Sequence, residues 1–361
     1  MFFTPEALQA NSRLRGHWND LWANRNVFNS HQQALVANHR SAMSAQMLAA
    51  NNFGGFGTEF WQEIDRQIIE SRNLETGMEI VNDLMDVQTV LPVGKTVRLY
   101  NVVGDIADDV AVSIDGQAPY SFDHTEYGSD GDPIPVFTAG YGVNWRLAEG
   151  LSTVGIDLVL DSQRAKERKF YKALVNYMLD GSNRINVGGY NGQGLRNHRN
   201  TVRIDLGAGG ANIDLTTASQ VEISEFFTSG VFGGTARSNF VDAYDVMWVS
   251  PEVWANLNRP ATVSIGGDRL LSGGSVLEVV RPYIPVRDVR QTFALSGNEF
   301  IAYQRRRDVV TPLVGMATGV VPLPRQMPQS NYNFQIMAAI GLQIARDAEG
   351  RSGVVYGADL T

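Results

Sequence analysis

Residues 153–198 read TVGIDLVLDSQRAKERKFYKALVNYMLDGSNRINVGGYNGQGLRNH and join a run of helix-forming residues to a glycine-rich stretch. Neither Pro nor Gly occurs from Ile156 to Asp180, so one unbroken helix is predicted there, and Gly181 supplies its end. At about 1.5 Å per residue this helix is roughly 35 Å long, the width of a small domain. We call it the spine helix.

Apolar residues cluster at the two ends of the spine helix, whereas Asp161 to Lys169 is almost wholly polar. A helix buried along its whole length carries an apolar stripe throughout. The pattern therefore predicts a helix that is anchored at both ends and partly exposed between them. Five basic residues, which we call the basic band, lie on this helix: Arg164, Lys166, Arg168, Lys169 and Lys172.

The composition bounds the class of protein. With 361 residues, 43% of them hydrophobic, the chain can form one large or two ordinary domains with a substantial core. No run approaches the roughly 18 apolar residues of a membrane span, and the N-terminus lacks a secretory signal pattern. The absence of Cys excludes disulfides and thiolate sites and indicates a reducing cytoplasm. A net charge of −8 argues against a dedicated nucleic-acid binder.

Motifs for catalysis or cofactor binding are missing from the sequence. The run GGYNGQG at 188–194 lacks the Lys-Ser/Thr ending of a phosphate-binding loop, and it follows a helix rather than a strand. The five histidines are dispersed without metal-ligand spacing, and the carboxylates of 105–132 do not match a calcium-binding loop. No nucleophile elbow or catalytic triad order is found. We expect no enzyme activity, no cofactor and no metal.

Two segments before the spine helix lack a core of their own. In residues 1–56, Trp18, Leu21 and Trp22 share one predicted helix face, which packs either on its own domain or on a neighbouring subunit. Residues 57–86 predict one amphipathic helix. Residues 87–145 alternate like strands at 110–114 and 134–136, around a polar tip at 121–133. Because an isolated two-stranded ribbon is marginal in water, this ribbon is expected to lie on another surface.

After the spine helix the pattern becomes mixed α/β. Ser219 and Glu222 fit a capping box, and Ser250 with Pro251 predicts a helix start after a strand at 245–250. Further strands are predicted at 275–280 and 298–304. The proline-containing stretch 306–330 reads as a crossing segment, and strict apolar alternation predicts a final strand over 334–344.

The long helix, its glycine-rich exit closing on Gly194-Leu195-Arg196-Asn197, and the ribbon before it resemble the major capsid proteins of tailed bacteriophages. This family has the Johnson fold, first seen in a Hong Kong phage and related to the encapsulins. The resemblance implies an α+β fold with an N-terminal arm, an extended β-hairpin loop, a long spine helix, and peripheral and axial domains. The implied segments are the arm (1–56), a peripheral-domain helix (57–86), the extended loop (87–145), the peripheral domain with the spine helix (146–184), the axial domain (185–320) and closing strands (321–361).

The resemblance implies a non-enzymatic protein that self-assembles into hexamers and pentamers around double-stranded DNA. It implies scaffold, portal and possibly cement proteins as partners, DNA held by non-specific proximity, no membrane, assembly in the host cytoplasm and a final place in the virion. The basic band is then either a solvated helix face or a contact for scaffold, a neighbour's acidic loop or DNA. The interface candidates are Trp18, Trp22, Asp123, Glu126, Asp130, Asp132, Arg164, Lys166, Arg168, Lys169 and Lys172.

Alternatives remain open at this point. An encapsulin-like nanocompartment shell would share the fold, whereas a soluble α/β hydrolase or binding protein would be a monomer or small oligomer. Some capsid relatives join subunits by an isopeptide bond from a Lys on the extended loop. Residues 96–140 contain no Lys and Lys95 lies at the base of the loop, so we expect a shell held without covalent bonds.

Overall fold

The computed structural model describes residues 12–39, 77–103, 127–145, 158–265, 268–325, 327, 330–347 and 349–360. The chain divides into two compact units, each drawn from three separate segments. Unit 1 is drawn from Met1–Thr96, Ile134–Met178 and Pro312–Gly341, and unit 2 from Val97–Pro133, Leu179–Thr311 and Leu342–Thr361.

Helices and strands alternate irregularly along the described chain. The helices are α1 (Ser12–His39), α2 (Met78–Met85), α3 (Leu158–Asp180), α4 (Gln220–Thr228), α5 (Val231–Ser238), α6 (Pro251–Leu257) and α7 (Val276–Val280). The strands are β1 (Thr89–Val90), β2 (Val97–Val103), β3 (Tyr127–Pro133), β4 (Val136–Val143), β5 (Ser182–Val187), β6 (Tyr190–Gly192), β7 (Val202–Asp205), β8 (Tyr244–Val249), β9 (Pro260–Ile265), β10 (Asp268–Ser275), β11 (Val286–Gln291), β12 (Phe300–Tyr303), β13 (Val310–Pro322), β14 (Tyr332–Ile344) and β15 (Val354–Ala358).

Unit 1 is organised on a four-stranded sheet with the order β1-β13-β14-β4. The predicted closing strand is confirmed as β14, whose alternating residues Phe334, Ile336, Ala338 and Ile340 are buried. It pairs antiparallel with β4 from Tyr332 opposite Val143 to Ala339 opposite Val136. The spine helix α3 packs on β4, where the Phe137 ring meets those of Phe170 and Tyr177 at 6.3 and 5.4 Å.

The spine helix is confirmed from Leu158 to Asp180, and its middle is partly exposed as predicted, although one face of that middle is buried. Gln163 and Glu167 are fully buried although both are polar. The Tyr141 hydroxyl donates to Gln163 Oε1 at 3.3 Å, and Gln163 Nε2 donates to Glu167 Oε1. Because hydrogen bonds join these side chains one helical turn apart, this polar stripe can be buried although the middle of the helix has no apolar one.

Of the single helix predicted over 57–86, the described part is the short helix α2 in the C-terminal third. The helix α2 begins after Gly77, whose φ of 86° is incompatible with a continuing right-handed helix. The segment 57–76 lies outside the described residues. The buried face of α2 is formed by Met78, Ile80, Val81, Leu84 and Met85.

Unit 2 is organised on a five-stranded sheet with the order β11-β8-β12-β15-β7. The strand β12 is antiparallel to both β8 and β15, while β11 runs parallel to β8 and β7 parallel to β15. Helices α4 and α5 pack against this sheet through buried aromatic rings. Phe226 and Phe232 lie 6.1 and 5.6 Å from Phe300, and Phe232 lies 5.4 Å from Tyr244.

Local predictions in unit 2 have mixed outcomes. The capping box of Ser219 with Glu222 is confirmed, and Ser250 accepts from the Val253 N–H at 3.2 Å to begin α6. The strand predicted at 275–280 is wrong, because Ser275 and Glu278 form a second capping box and begin the helix α7. Residues 298–304 contain β12 as predicted.

The crossing segment predicted at 306–330 is also wrong, because its middle is the long strand β13. Val310, Leu313, Val314 and Val320 are fully buried, and this apolar content outweighs the prolines at 312 and 322. On the β1 side β13 pairs only at Leu313 and Val314, so the missing N–H of Pro312 breaks no bond to that strand.

The ribbon differs from its prediction in register. β2 pairs antiparallel with β3, from Val97 opposite Pro133 to Val103 opposite Tyr127, so residues 127–133 of the expected tip form a strand. Val136 pairs with Ala339 of β14 instead of a ribbon partner. Residues 110–114 lie outside the described residues. The β3 sequence YGSDGDP carries little strand propensity, so sequence pattern could not reveal it.

The glycine-rich exit of the spine helix folds as a hairpin of β5 and β6. Gly188 and Gly189 form its turn with φ of 63° and 91°, the conformation a two-residue turn with two positive φ values requires. Gly181 ends the helix with φ of 67°. A Cβ at Gly194 would lie 2.4 Å from the carbonyl carbon of Leu179, so this position excludes any side chain.

The close approach at Gly194 predicts a stability defect. We expect Gly194→Ala to lower the free energy of unfolding by about 3 kcal/mol, because the opposing atoms are backbone and cannot move aside. Gly234→Ala is the matched control, since Gly234 lies inside α5 with open space around it and Ala favours a helix by roughly 1 kcal/mol. Urea unfolding of the unassembled chains measures both, and equal stability of the two variants would contradict the prediction.

Candidate assembly surfaces

The base of the ribbon is held by one arginine of unit 2. Arg199 Nη2 lies 2.8 Å from Asp130 and 2.8 Å from Asp132, and it donates to the Gly131 carbonyl at 2.9 Å. Arg199 Nε also donates to Asp130 Oδ2 at 3.0 Å. A planar guanidinium suits this fork of acceptors better than an ammonium group would. The arginine therefore fixes the position of β3 within unit 2.

A buried histidine completes this anchor. His198 Nε2 lies 3.1 Å from Asp132 Oδ1, and both side chains are essentially inaccessible. The Asn200 backbone N–H donates to His198 Nδ1 at 3.1 Å. Since Nδ1 accepts, the proton of the neutral ring lies on Nε2 and is donated to Asp132. Asn200 Nδ2 donates to the Tyr100 hydroxyl at 3.0 Å and to the Ile344 carbonyl at 2.7 Å.

Charges in this cluster are set by burial and hydrogen bonding. Burial and the hydrogen bond to Asp130 raise the pKa of Tyr100 to about 12, so the phenol stays a donor. Burial acts to raise the pKa of Asp130, but the hydrogen bonds from Arg199, Tyr100 and the Gly131 N–H outweigh it and hold that pKa below its ordinary value. The cluster is therefore a carboxylate–guanidinium network at neutral pH.

The acidic interface candidates separate into two groups. Asp130 and Asp132 bind Arg199 and His198 of the same chain, so they do not form the solvated tip that the sequence predicted. Asp123 and Glu126 lie outside the described residues. Contact of these four residues with a neighbouring subunit stays a prediction. Sequence reasoning missed His198, Arg199 and Asn200, although they directly follow the motif Gly194-Leu195-Arg196-Asn197.

That motif joins the end of α3 to the five-stranded sheet. Asn197 Oδ1 accepts from the Gly194 N–H at 2.8 Å, and its Nδ2 donates to the Asp180 carbonyl. Arg196 contacts the Asp180 carboxylate at 2.9 Å and donates to Glu299 Oε2 at 3.2 Å. Glu299 in turn accepts from the Tyr356 hydroxyl at 2.7 Å. The motif thus has a structural role within unit 2.

The basic band forms an exposed stripe on the spine helix. Arg164, Arg168 and Lys172 are exposed and recur every four residues, so they share one face. Lys169 is exposed beside them and Lys166 is partly exposed. Within the ranges that the structure describes, Lys166, Arg168, Lys169 and Lys172 make no ion pair. The stripe faces away from the buried residues Gln163 and Glu167, and a partner for it stays a prediction.

The helix α1 of the arm packs on its own unit. Leu21 and Phe28 are buried. Gly319 of β13 makes room for the Leu21 side chain, because a Cβ added at Gly319 would lie 3.2 Å from Leu21. Trp18 and Trp22 are partly exposed and meet edge to face at 5.7 Å. The own-domain alternative is therefore what the structure shows for α1, and packing of the two tryptophans on a neighbour stays a prediction.

The end of α5 carries an unusual residue. Val241 N–H donates to the Ala236 carbonyl and Phe240 N–H to the Arg237 carbonyl, at 2.9 and 3.1 Å. This pair of bonds is the Schellman motif, whose left-handed position normally holds Gly. Here it holds Phe240 with φ of 53°, at a cost of about 1–2 kcal/mol for an L residue. The strain is retained at an exposed aromatic side chain.

Two other kinds of site, a metal cluster and a membrane span, are absent from the residues that the structure describes. Among them, no group of three or more His, Asp or Glu side chains is placed to hold a metal ion. No helix in the same residues is long and apolar enough to cross a membrane.

Comparison of the sequence with protein families identifies one family. The model described as "Family of unknown function (DUF6260)" matches residues 49–357. The chain belongs to this family. No curated protein matches the DUF6260 chain by sequence.

Solved structures similar to this DUF6260 protein include a virus-like particle and two capsids. A virus-like particle from Pyrococcus furiosus matches with 13% identity and a TM-score of 0.51, over 83% of this chain and 100% of the other. The capsid of Myoviridae phage XM1 matches with 13% identity and a TM-score of 0.50, over 72% and 83% of the two chains. The capsid of a native gene transfer agent particle matches with 11% identity and a TM-score of 0.51, over 76% and 89%.

These identities are low, so the likeness concerns the fold. The DUF6260 chain has the α+β fold of the phage capsid proteins, which confirms the fold class predicted from the spine helix and its glycine-rich exit. The boundaries predicted for the arm, loop, peripheral and axial domains are not tested by these comparisons.

The ribbon anchor predicts a large cost for removing one carboxylate. We expect Asp132→Ala to lower the free energy of unfolding by about 3 kcal/mol, because it leaves buried His198 and the Arg199 fork without their shared acceptor. Asp288→Ala is the control, since its pair with Arg290 is exposed and contributes less than about 1 kcal/mol. Urea unfolding of the unassembled chains checks the difference, and a loss at Asp132 no larger than at Asp288 would refute the anchor.

Proposed function

We propose that this protein is a major capsid protein, which self-assembles into hexamers and pentamers of an icosahedral shell around phage double-stranded DNA. The observation that carries the proposal is the fold, which spans the whole of one shell-forming chain and most of two others. The same likeness favours a structural role over catalysis. The proposed location is the virion, after assembly in the host cytoplasm.

Assembly in this proposal rests on many contacts of modest individual strength. Each copy offers several surfaces at once, so binding of one neighbour raises the effective concentration of the next. Surfaces that support this reading are the partly exposed tryptophans of α1, the ribbon held by Arg199, and the basic band of α3. A closed shell is stable although each single contact is weak, because every subunit is bound to several neighbours at once.

The basic band supports a specific contact between copies. Residues 104–126 carry Asp105, Asp108, Asp109, Asp115, Asp123 and Glu126 and no Lys or Arg. We propose that this acidic segment binds the basic band of a neighbouring copy. Opposite charges on separate copies favour correct encounters and lose strength as salt screens them.

Further partners are proposed from the same reading. Scaffold, portal and possibly cement proteins would act during assembly, and DNA would be held by proximity rather than by a dedicated site. The net charge of −8 fits that weaker role, since strong phosphate binding needs a surplus of basic residues.

A second candidate is an encapsulin-like compartment shell that encloses protein cargo. It is favoured by the match to the Pyrococcus furiosus particle, in which the whole of the other chain is covered. The two candidates differ in contents and in partners. A genome-filled shell with a portal would indicate a phage capsid, and a small closed shell with protein inside would indicate a compartment.

The proposed function predicts particles from the purified protein. We expect size-exclusion chromatography and negative-stain electron microscopy of the recombinant full-length chain, with scaffold protein supplied where needed, to show closed shells. A denaturing gel of these particles should show a single band at about the chain mass of 39.6 kDa, because residues 96–140 contain no Lys. A chain that stays monomeric at high concentration contradicts the proposal, and a ladder of covalent multimers contradicts the non-covalent shell.

The basic band gives a separate prediction. Replacing all five of its residues by Gln should reduce the particle yield and remove much of its salt dependence, because the acidic partner loses its counter-charges. The control variant Arg164→Lys with Arg168→Lys keeps the charge and should assemble normally. Particle yield against NaCl concentration measures both. Unchanged assembly and unchanged nucleic-acid content of the neutralised variant would show that the band is a solvated helix face.

A further inference from the structure

Two aromatic side chains of unit 2 stand exposed at the rim of one groove. Phe240 is 74% exposed and Tyr283 is 69% exposed. They border a groove of about 460 Å³ that also includes Phe227, Arg237 and Val241. Isolated exposed apolar residues are ordinary, but two large aromatic rings at one groove mark an interaction surface. We call it the aromatic groove.

The position of Phe240 makes this exposure informative. Its backbone has φ of 53°, a conformation that Gly or Asn would adopt with less strain. The ring does not pack into the core of its own chain. It lies against the Arg351 guanidinium, whose carbon is 3.9 Å from the ring centroid. Arg351 is itself paired with Asp347 and Glu349. A strained residue with an exposed ring is better suited to docking than to folding.

A second groove lies at the other end of α5. It has a volume of about 390 Å³ and is lined by three carboxylates, those of Asp214, Glu222 and Glu225. None of its lining residues is basic. Val231 at the start of α5 lines it and is 45% exposed. We call it the acidic groove.

The two grooves complement each other in chemistry. The aromatic groove carries exposed rings and Arg237, with Asp242 as its single lining carboxylate, whereas the acidic groove carries three carboxylates and the exposed side chain of Val231. Val231 of the acidic groove and Phe240 of the aromatic groove lie at opposite ends of α5, whose eight residues span about 12 Å at 1.5 Å per residue, so one copy cannot bring these two side chains together. A contact that joins two different patches is heterologous and generates rings or helical arrays.

We propose that the aromatic groove of one copy docks on the acidic groove of a second copy, with Phe240 and Tyr283 against Val231 and Arg237 against Glu225. This inference rests on the proposed self-assembly and names one of its interfaces. The partner is another copy of this chain. The strain at Phe240 is then kept because the ring contributes to assembly.

The decisive variant is Phe240→Asn, which suits the left-handed backbone and removes the ring. We expect the unassembled variant to melt at the wild-type temperature or above it, while particle yield falls by about tenfold or more, as for loss of a central aromatic contact. Phe240→Tyr keeps the ring and should assemble normally. Tyr283→Ser, which leaves the Phe240 backbone untouched, provides a second variant with the same expected loss of yield.

The outcomes separate the inference from the proposed function. If wild-type protein forms no particles, the proposed function fails and the interface fails with it. If wild-type protein forms particles and both Phe240→Asn and Tyr283→Ser match its yield, the interface alone is overturned. A melting temperature of Phe240→Asn well below wild type would also overturn it, because Phe240 would then be needed for folding.

Cross-linking tests which faces meet. The chain has no Cys, so Asp242→Cys in the aromatic groove and Val231→Cys in the acidic groove each introduce one reactive group and leave Phe240 in place. Particles assembled from a mixture of the two variants and treated with a short bifunctional maleimide should give a linked pair of subunits on a denaturing gel. Particles made from either variant alone should give none. Equal linkage in the single-variant particles, or none in the mixture, would contradict docking of one groove on the other.

Discussion

The forked contact of Arg199 with Asp130, Asp132 and the Gly131 carbonyl is the interaction on which the described ribbon depends. β2 and β3 form a two-stranded ribbon whose facing residues include Gly and Asp, so it has little apolar surface to bury. Such a ribbon is marginal by itself. Arg199 and the His198–Asp132 pair supply instead a buried polar network that fixes where the ribbon begins.

Much of the fold could be predicted because its signals are local. The spine helix follows from the lack of Pro and Gly before Gly181, the closing strand from its alternation, and two helix starts from Ser219 and Ser250. These features depend on residues that are neighbours in sequence. Ser275 and Glu278 carry the same kind of local signal. The apolar run after Ser275 favours a strand in sequence, but the capping box begins a helix.

The remaining features could not be predicted because distant residues create them. The strand β3 is polar, and only its pairing with β2 and its contact with Arg199 make it a strand. The middle of α3 is polar in sequence, yet Gln163 and Glu167 are buried because Tyr141 reaches them from β4. The left-handed backbone at Phe240 cannot be predicted from the sequence, because Gly is the residue that usually indicates this conformation and Phe does not.

The order of strands in unit 2 has a consequence for synthesis on the ribosome. β15, at Val354–Ala358, lies inside the sheet between β12 and β7, and β7 joins the sheet only through it. Until the ribosome has released residue 358, β7 has no partner and β12 keeps an open edge. The five-stranded sheet of unit 2 is therefore complete only after translation has passed this strand.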